Sequence, residues 1–543
     1  MRQPHSRRSF LKQAGLGAAA LGMASRAGAA PEGDKPPNIV LIMVDDMGYS
    51  DPGCYGGEID TPNIDRLARE GLRFSQFYNN AKCSPTRASL LTGLYSQQVG
   101  VSGGPNRLRD CVTIAEALRG AGYRTFMSGK WHLGETPVER GFDRYYGLLD
   151  GCCNFFNPGE QRPGEPKPAW QRPRRWYVDG EVHQPFTPED PDFYTTDAFT
   201  DHALEYLDEA GKEDAPFFLY LAYTAPHYPM QAPEADIAKY RGKYRDGWDA
   251  LRKRRHARQK EMGLLDPRWG LSPRDPALAA WENIGDPKAW DFKTMDEWYT
   301  SGLTFEDAKD ADLWDLKMAV YAAMVDRMDQ NVGRVMAKLE AMGAGDNTLV
   351  LFLSDNGGCA QIRYETPDVP PGPVNSFRTV DPPWANAQNT PFRRYKRWNY
   401  EGGIATPLIA RWPQRIAAGG ITHQWGHVVD IMATCLDIAG QAYPEEYAGH
   451  PVQPLVGKSL APIFDGKTRE EHETFCWQFG KHQAVRQGGW KLVSAGKAPW
   501  ELYNLAEDRT ELNNRASDLP ERAAAMQKAW NAWADRVGAR KRG

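Results

Sequence analysis

Two unbroken apolar runs, far apart in the chain, constrain its fold more than any other feature. They are Asn38-Ile39-Val40-Leu41-Ile42-Met43-Val44 and Thr348-Leu349-Val350-Leu351-Phe352-Leu353-Ser354. Apolar residues at nearly every position, rather than at alternate ones, fit a strand buried on both faces, as in a parallel sheet covered by helices. The first run ends in Asp45-Asp46 and the second in Asp355-Asn356. Adjacent buried carboxylates repel unless a cation or hydrogen bonds intervene, and open α/β sheets bind ligands at the C-terminal ends of their strands. For the Asp45-Asp46 pair alone, one residue capping a helix and the other solvated is an equal reading. With the second pair added, three carboxylates and an amide oxygen make an all-oxygen set for a hard cation. Calcium suits it best and magnesium second, while zinc is disfavoured because neither cluster holds His or Cys.

Two further strands deliver polar groups in the same way. Tyr123–Ser128 leads into Gly129-Lys130-Trp131-His132, and Phe217–Tyr223 leads into Thr224-Ala225-Pro226-His227. A lone histidine after a strand is more often structural than catalytic. Four strands ending in Asp-Asp, Lys-x-His, His and Asp-Asn form a pattern that the structural reading explains poorly. Helical stretches open at Thr61 and Thr113, and Ala319–Met342 has the spacing of a crossover helix before the Asp-Asn strand. The alternation predicts an α/β fold, a doubly wound and mostly parallel sheet flanked by helices. Residues 237–314 show no buried strand and read as a helical, Trp-rich insertion with a charged exterior. Within it Arg252-Lys253-Arg254-Arg255 reads as a solvated helix face rather than a polyanion site. The catalytic domain is expected over 31–468. Trp490–Val493, Glu501–Leu505 and an amphipathic helix from Leu519 to Val537 predict a small C-terminal α+β domain over 469–543.

The string Cys83-Ser84-Pro85-Thr86-Arg87-Ala88-Ser89-Leu90-Leu91-Thr92-Gly93 reads as a short helix. Cys83 or Ser84 is its expected N-cap, Pro85 suits the first turn and Gly93 is a natural stop. Cys83 and Arg87 then share one face at a positive helix terminus, which is a place for an anion. The whole string resembles the signature of the type I, formylglycine-dependent sulfatases of the alkaline phosphatase superfamily, in their arylsulfatase-like branch. The likeness runs from Asn38 to about Asn514.

The resemblance implies that a formylglycine-generating enzyme converts Cys83 to an aldehyde whose hydrate is the nucleophile. It implies Ca2+ on Asp45, Asp46, Asp355 and Asn356, also touching position 83, with Arg87 holding the hydrate and Lys130 and His132 flanking it. His227 and Lys396 match residues that contact sulfate and assist the leaving oxygen. Asn154, in a loop variable in the family, and Arg394, beside Lys396, are candidate substrate contacts. The expected activity is hydrolysis of a sulfate ester on a small molecule or carbohydrate. The alternatives are a phosphate or phosphonate ester hydrolase of the same superfamily, or a decayed calcium-dependent glycan-binding protein. Cysteine phosphatase chemistry places its Arg six positions after the Cys, whereas Arg87 is four after Cys83.

Ser6-Arg7-Arg8-Ser9-Phe10-Leu11-Lys12, the mildly apolar Ala14–Ala24 and Ala27-Gly28-Ala29 form a twin-arginine signal over 1–30. The expectation is passage through the twin-arginine translocase to the periplasm or beyond, with no membrane span in the mature chain. A net charge of −4 gives no basic surplus for nucleic acid. The eight cysteines do not suggest a disulfide framework in a chain this long.

Overall fold

The computed structural model describes residues 35–169, 172–178, 180–298 and 302–539. The export signal read over 1–30 lies outside the described residues.

Strand β1 (Asn38–Val44) runs parallel to β8 (Thr348–Ser354) on one side and to β7 (Phe217–Ala222) on the other. The parallel array continues from β7 through β3 (Arg124–Gly129) to β4 (Arg144–Leu148). Beyond β8, the sheet changes sense. β9 (Ala405–Arg411) is antiparallel to β8 and to β2 (Leu72–Tyr78), while β10 (Gly420–Thr422) and β11 (Gly426–His427) follow β2 in parallel. Short antiparallel strands β5 (Trp176–Val178) and β6 (Glu181–His183) complete an eleven-stranded sheet at its other edge. The sequence expectation of a mostly parallel sheet holds.

The period of two along each strand sends alternate side chains into separate cores. Val40, Ile42, Val44, Leu219, Leu221, Val350 and Phe352 pack on one face; Ile39, Leu41, Met43, Phe218, Tyr220, Leu349 and Leu351 pack on the other. Both faces are dry, which is why the strands read as unbroken apolar runs. The 31-residue helix Ala311–Ala341 covers the first face, and its Asp310 side chain caps it by accepting from the Asp312 and Leu313 amides.

The Trp-rich insertion contains no strand among the described residues. Trp248 meets the rings of Trp281, Trp290, Trp314 and Trp384 edge-on at centroid distances of 4.9 to 6.1 Å. Its basic run differs from the sequence expectation: Lys253 and Arg254 are exposed, but Arg252 and Arg255 are buried. They share a stripe with Trp248, Leu251 and Gln259 on helix Gly247–Glu261, so helical spacing turns half of the run inward.

After a two-stranded hairpin, β12 (Glu446–Tyr447) and β13 (His450–Pro451), comes an antiparallel meander. Its strands are β14 (Phe475–Phe479), β15 (His482–Gln487), β16 (Trp490–Ala495) and β17 (Glu501–Asn504), with helix Pro520–Arg536 against it. Phe475, Val485, Leu502 and Trp530 join the same core as Val40 and Ile42. All eight cysteines are buried free thiols. Among the described residues no helix is long and apolar enough to cross a membrane.

Candidate active site

The strand order decides which loops can meet. β8, β1, β7 and β3 are consecutive and parallel, so the residues after each emerge at one sheet edge. These are Asp355-Asn356, Asp45-Asp46, His227, and Lys130 with His132. β9 runs the other way, so the loop before it, carrying Lys396, comes to that same edge. β2 runs with β8 and leads into the helix Cys83–Thr92. The backbone ladder continues past the strands and fixes the loops: the Asp45 amide donates to Ala225 O at 3.1 Å and the Asp355 amide to Val44 O at 3.0 Å.

Every residue of helix Cys83–Thr92 is buried. Its N-cap is Lys82, in extended conformation, rather than Cys83 or Ser84, so the helix begins earlier than expected and Cys83 is its first helical residue. Gly93 ends the helix in the left-handed region at φ 70°, as expected. Asn80 ties the approach down, its amide donating to Thr86 Oγ1 at 3.0 Å and its Nδ2 to Ser89 Oγ at 2.8 Å.

Around Cys83 the charges interleave. Arg87 donates to Asp355 Oδ2 from Nη2 at 2.9 Å and Nε at 3.2 Å, and from Nη1 to Lys130 O at 2.8 Å. Lys130 Nζ pairs with Asp45 Oδ2, and Lys396 Nζ with Asp46 Oδ1 at 2.6 Å. His227 Nε2 lies 3.5 Å from Asp46 Oδ2, while its Nδ1 donates to Tyr228 O at 2.7 Å. That bond puts the proton of the neutral ring on Nδ1 and leaves Nε2 bare toward the cluster. Asp46 and His132 both hold positive φ, 69° and 59°, a strain that persists only where the surroundings over-determine it.

Burial alone would raise the Cys83 thiol, but the charges of Lys130 and Lys82 outweigh it and hold it well below the ordinary thiol range. Burial pushes His227 down to about 4 and lowers His132 as well, so both rings are neutral at pH 7. Burial, then the neighbouring Asp45 carboxylate, drives Asp355 well above the usual range.

The cluster leaves acceptors over. Asp45 Oδ1, Asp46 Oδ2 and Asn356 Oδ1 are buried and accept no hydrogen bond. Ligand atoms of Asp45, Asp46 and His227 lie within 4.8 Å of one another, as do those of Asp45, Cys83 and Asp355. Uncompensated buried oxygens of this kind are costly, and a hard cation would satisfy them together. The residues therefore fit a divalent cation next to position 83.

Ten of the sequence-derived site residues meet here: Asp45, Asp46, Cys83, Arg87, Lys130, His132, His227, Asp355, Asn356 and Lys396. The two substrate candidates are otherwise engaged. Asn154 Nδ2 donates to Ala169 O and Val374 O, and its Oδ1 accepts from the Phe156 and Asn157 amides, so its side chain organises its own loop. Arg394 pairs with Asp275 of the insertion and covers the Trp398 ring at 4.6 Å. Sequence reading missed Tyr220, whose hydroxyl lies 3.4 Å from Arg87 Nη1, and Asn389. Asn389 Oδ1 accepts from the Gly358 amide at 2.8 Å and its Nδ2 donates to Arg394 O at 3.2 Å, stapling the Asn356 loop to the Lys396 loop. Asn389 stands in the Asn-Thr-Pro segment ahead of Lys396, which was the available signal.

Comparison with known proteins agrees with this geometry. The family model described as Sulfatase matches residues 37–441, and that of the N-sulphoglucosamine sulphohydrolase C-terminal region matches 393–532. An uncharacterized sulfatase of Schizosaccharomyces pombe is 35% identical, covering 91% of this chain and 93% of its own. The arylsulfatase of Klebsiella aerogenes is 33% identical over 83% of this chain and 97% of its own. Among solved structures, Ps i-CgsB in complex with k-i-k-neocarrahexaose superposes with a TM-score of 0.64 at 26% identity, covering 92% of this chain and 93% of that one.

Proposed function

The chain belongs to the sulfatase family, and from that premise we propose that it removes sulfate from a carbohydrate ester, using Ca2+ and a formylglycine made from Cys83. Hydrolysis of sulfate esters is the family's activity; the ion, the modification and the sugar are our reading. The observation that carries it is the trio of buried, unpartnered oxygens beside Cys83. Asp45, Asp46, Asp355 and Asn356 would hold the ion, with position 83 next to it. When present, the ion supplies charge neutralisation and the aldehyde hydrate an oxygen nucleophile with the second hydroxyl that a thiol lacks.

The chain's own residues account for the rest. Arg87 is locked between Asp355 and the Lys130 carbonyl and faces position 83 as a fixed cation. Lys130 and Lys396 add two more charges for the sulfuryl oxygens, in a site from which water is excluded, where such charges act most strongly. Lys396 and His227 flank Asp46; Lys396 gives the departing oxygen a proton, and the bare Nε2 of His227 accepts a hydrogen bond from the hydroxyl so formed. His132, kept neutral by burial, accepts a proton from the group at position 83.

A carbohydrate substrate is supported by the neocarrahexaose bound to Ps i-CgsB. Export through the twin-arginine translocase, after a formylglycine-generating enzyme has acted on Cys83, is supported by the Ser6–Ala29 sequence. The test is the mass of the peptide spanning Cys83, from protein made with the modifying enzyme, alongside turnover of matched aryl sulfate and aryl phosphate esters. A formylglycine mass with sulfate preferred and activity lost to chelator is expected. A plain thiol in active protein, or phosphate preferred over sulfate, overturns the reading.

A further inference from the structure

The turn that follows the Asp45-Asp46 pair runs to Asp51, and there the Trp-rich insertion reaches it. Asp51 is fully buried. Its Oδ2 accepts from the Gly48 amide at 2.8 Å and from the Tyr321 hydroxyl at 2.7 Å; that hydroxyl also lies 3.4 Å from Asp46 O. Its Oδ1 accepts from Arg255 Nη1 at 2.7 Å. Arg255, on helix Gly247–Glu261, is 1% exposed. The same Nη1 lies 3.1 Å from Ser50 Oγ and 3.3 Å from Ala387 O, while Nε and Nη2 hold Glu58 at 2.8 and 3.0 Å. One guanidinium from the insertion thus grips Ser50, Asp51 and Glu58 at once, in a bidentate geometry that lysine could not reproduce.

The strained residue in this stretch is Asp46, at φ 69°. A non-glycine residue stays in that region only when its neighbours hold it there. Gly48 and the Asp46 carbonyl are the points at which Asp51 and Tyr321 hold it. We propose that Arg255 is a positioning residue for the cation site: acting through Asp51, it fixes the turn that presents the Asp46 carboxylate. The inference rests on the calcium reading above and makes the insertion a working part of the metal site.

The test is titration of Ca2+ into chelator-stripped, full-length protein, followed by calorimetry. Arg255→Met is expected to weaken Ca2+ binding about tenfold or more, as loss of a residue behind a metal ligand does. Arg252→Met is the control. It removes a buried guanidinium from the same helix, one bonded to Ser272 O and Oγ, and is expected to bind Ca2+ within about twofold of wild type. Tyr321→Phe deletes a single hydroxyl, keeps the ring in the core and is expected to weaken binding about threefold, so the question stays answerable if Arg255→Met does not fold. Wild-type protein that binds no Ca2+ overturns the calcium reading and this inference with it. Wild type that binds while Arg255→Met and Tyr321→Phe bind equally well overturns this inference alone, as does an equal loss in Arg252→Met.

Discussion

Two of the buried clusters of mixed charge among the described residues solve the same problem differently. Where the C-terminal meander meets the large sheet, Glu401 and Glu511 lie among Lys491, Arg509 and Arg486. All four carboxylate oxygens there have a close partner. Glu401 Oε1 and Glu511 Oε1 are each 2.8 Å from Lys491 Nζ, Glu401 Oε2 is 3.0 Å from Arg509 Nε, and Glu511 Oε2 accepts from the Glu401 amide at 2.9 Å. At the strand ends, Asp45, Asp46 and Asp355 lie among Lys130, Lys396 and Arg87, yet Asp45 Oδ1 and Asp46 Oδ2 are left over. In the first cluster every carboxylate oxygen has a cation or an amide within 3.0 Å, although Glu511 Oε1 meets Lys491 as an ion pair without a hydrogen bond and Arg509 Nη2 donates to no acceptor; its charges are paired and it is a structural joint. The second is complete only with a further positive group, and that is the mark of a site rather than a joint.

The comparison predicts opposite costs for one substitution in each cluster. Asp46→Asn is expected to lower kcat/KM by about a thousandfold or more while costing the metal-free protein less stability than the joint variant, because the amide oxygen still accepts from Lys396 and an unpartnered carboxylate oxygen is removed. Lys491→Met strands two buried carboxylates and is expected to cost about 3–5 kcal/mol of stability, with kcat of the remaining folded enzyme unchanged. Urea unfolding and steady-state kinetics on both variants check this. Equal stability losses would erase the distinction between joint and site.

Calcium sharpens it. Ligand that binds only the folded state adds about 2.7 kcal/mol at a concentration a hundred times its dissociation constant. That increment in unfolding free energy is expected in wild type and in Lys491→Met alike, and is expected to vanish in Asp46→Asn. A full increment in Asp46→Asn places the ion elsewhere.

The joint also carries a proton-linked weakness, of the kind that His227 brings to the site. His427 is buried against the Phe475 ring at 4.2 Å, and burial holds it down to about 3. Between the ordinary histidine value near 6.5 and that value, the unfolded chain takes up a proton that the folded one refuses. The stability this group contributes is therefore whole above pH 6.5 and is lost as pH falls toward 3, with a slope approaching about 1.4 kcal/mol per pH unit. Denaturant midpoints measured from pH 7 to pH 4.5 should fall more steeply in wild type than in His427→Gln. Parallel curves would mean that another group governs acid unfolding.

The same contrast explains what the sequence disclosed. The strands β1, β3, β7 and β8 were legible because both faces of each are dry, and their terminal Asp, Lys, His and Asn residues are too costly to bury without a purpose. Lys396 was legible only through the family likeness, since the strand after it is antiparallel and nothing local announces which edge it serves. The strands Phe475–Phe479 and His482–Gln487 were not read, because Gln478, His482, Gln483 and Arg486 break any apolar run. The inward stripe Trp248, Leu251, Arg252, Arg255 and Gln259 has helical spacing and was there to be read. Its partner Asp51, however, lies in a distant segment of the chain, and only the tertiary fold pairs the two.

A last and smaller test bears on how tightly the site is packed rather than on how it is charged. His132 sits at positive φ with its ring over Gly151, where a Cβ would come within 2.8 Å of ring atoms Cε1 and Nε2. Gly151 itself needs no unusual backbone angle, so alanine is excluded there by the histidine and by nothing else. The atoms it meets belong to a side chain, which can move. Gly151→Ala should therefore fold with its unfolding midpoint within about 2 °C of wild type, since a displaced ring costs little in the core. Displacing a proton acceptor by several tenths of an ångström is costly to the reaction, and kcat is expected to fall about tenfold with KM nearly constant. In the joint, a methyl group of added bulk would show as lost stability. At Gly151 it should show as lost turnover, and a fall in stability without a fall in kcat would mean that His132 takes no part in the chemistry.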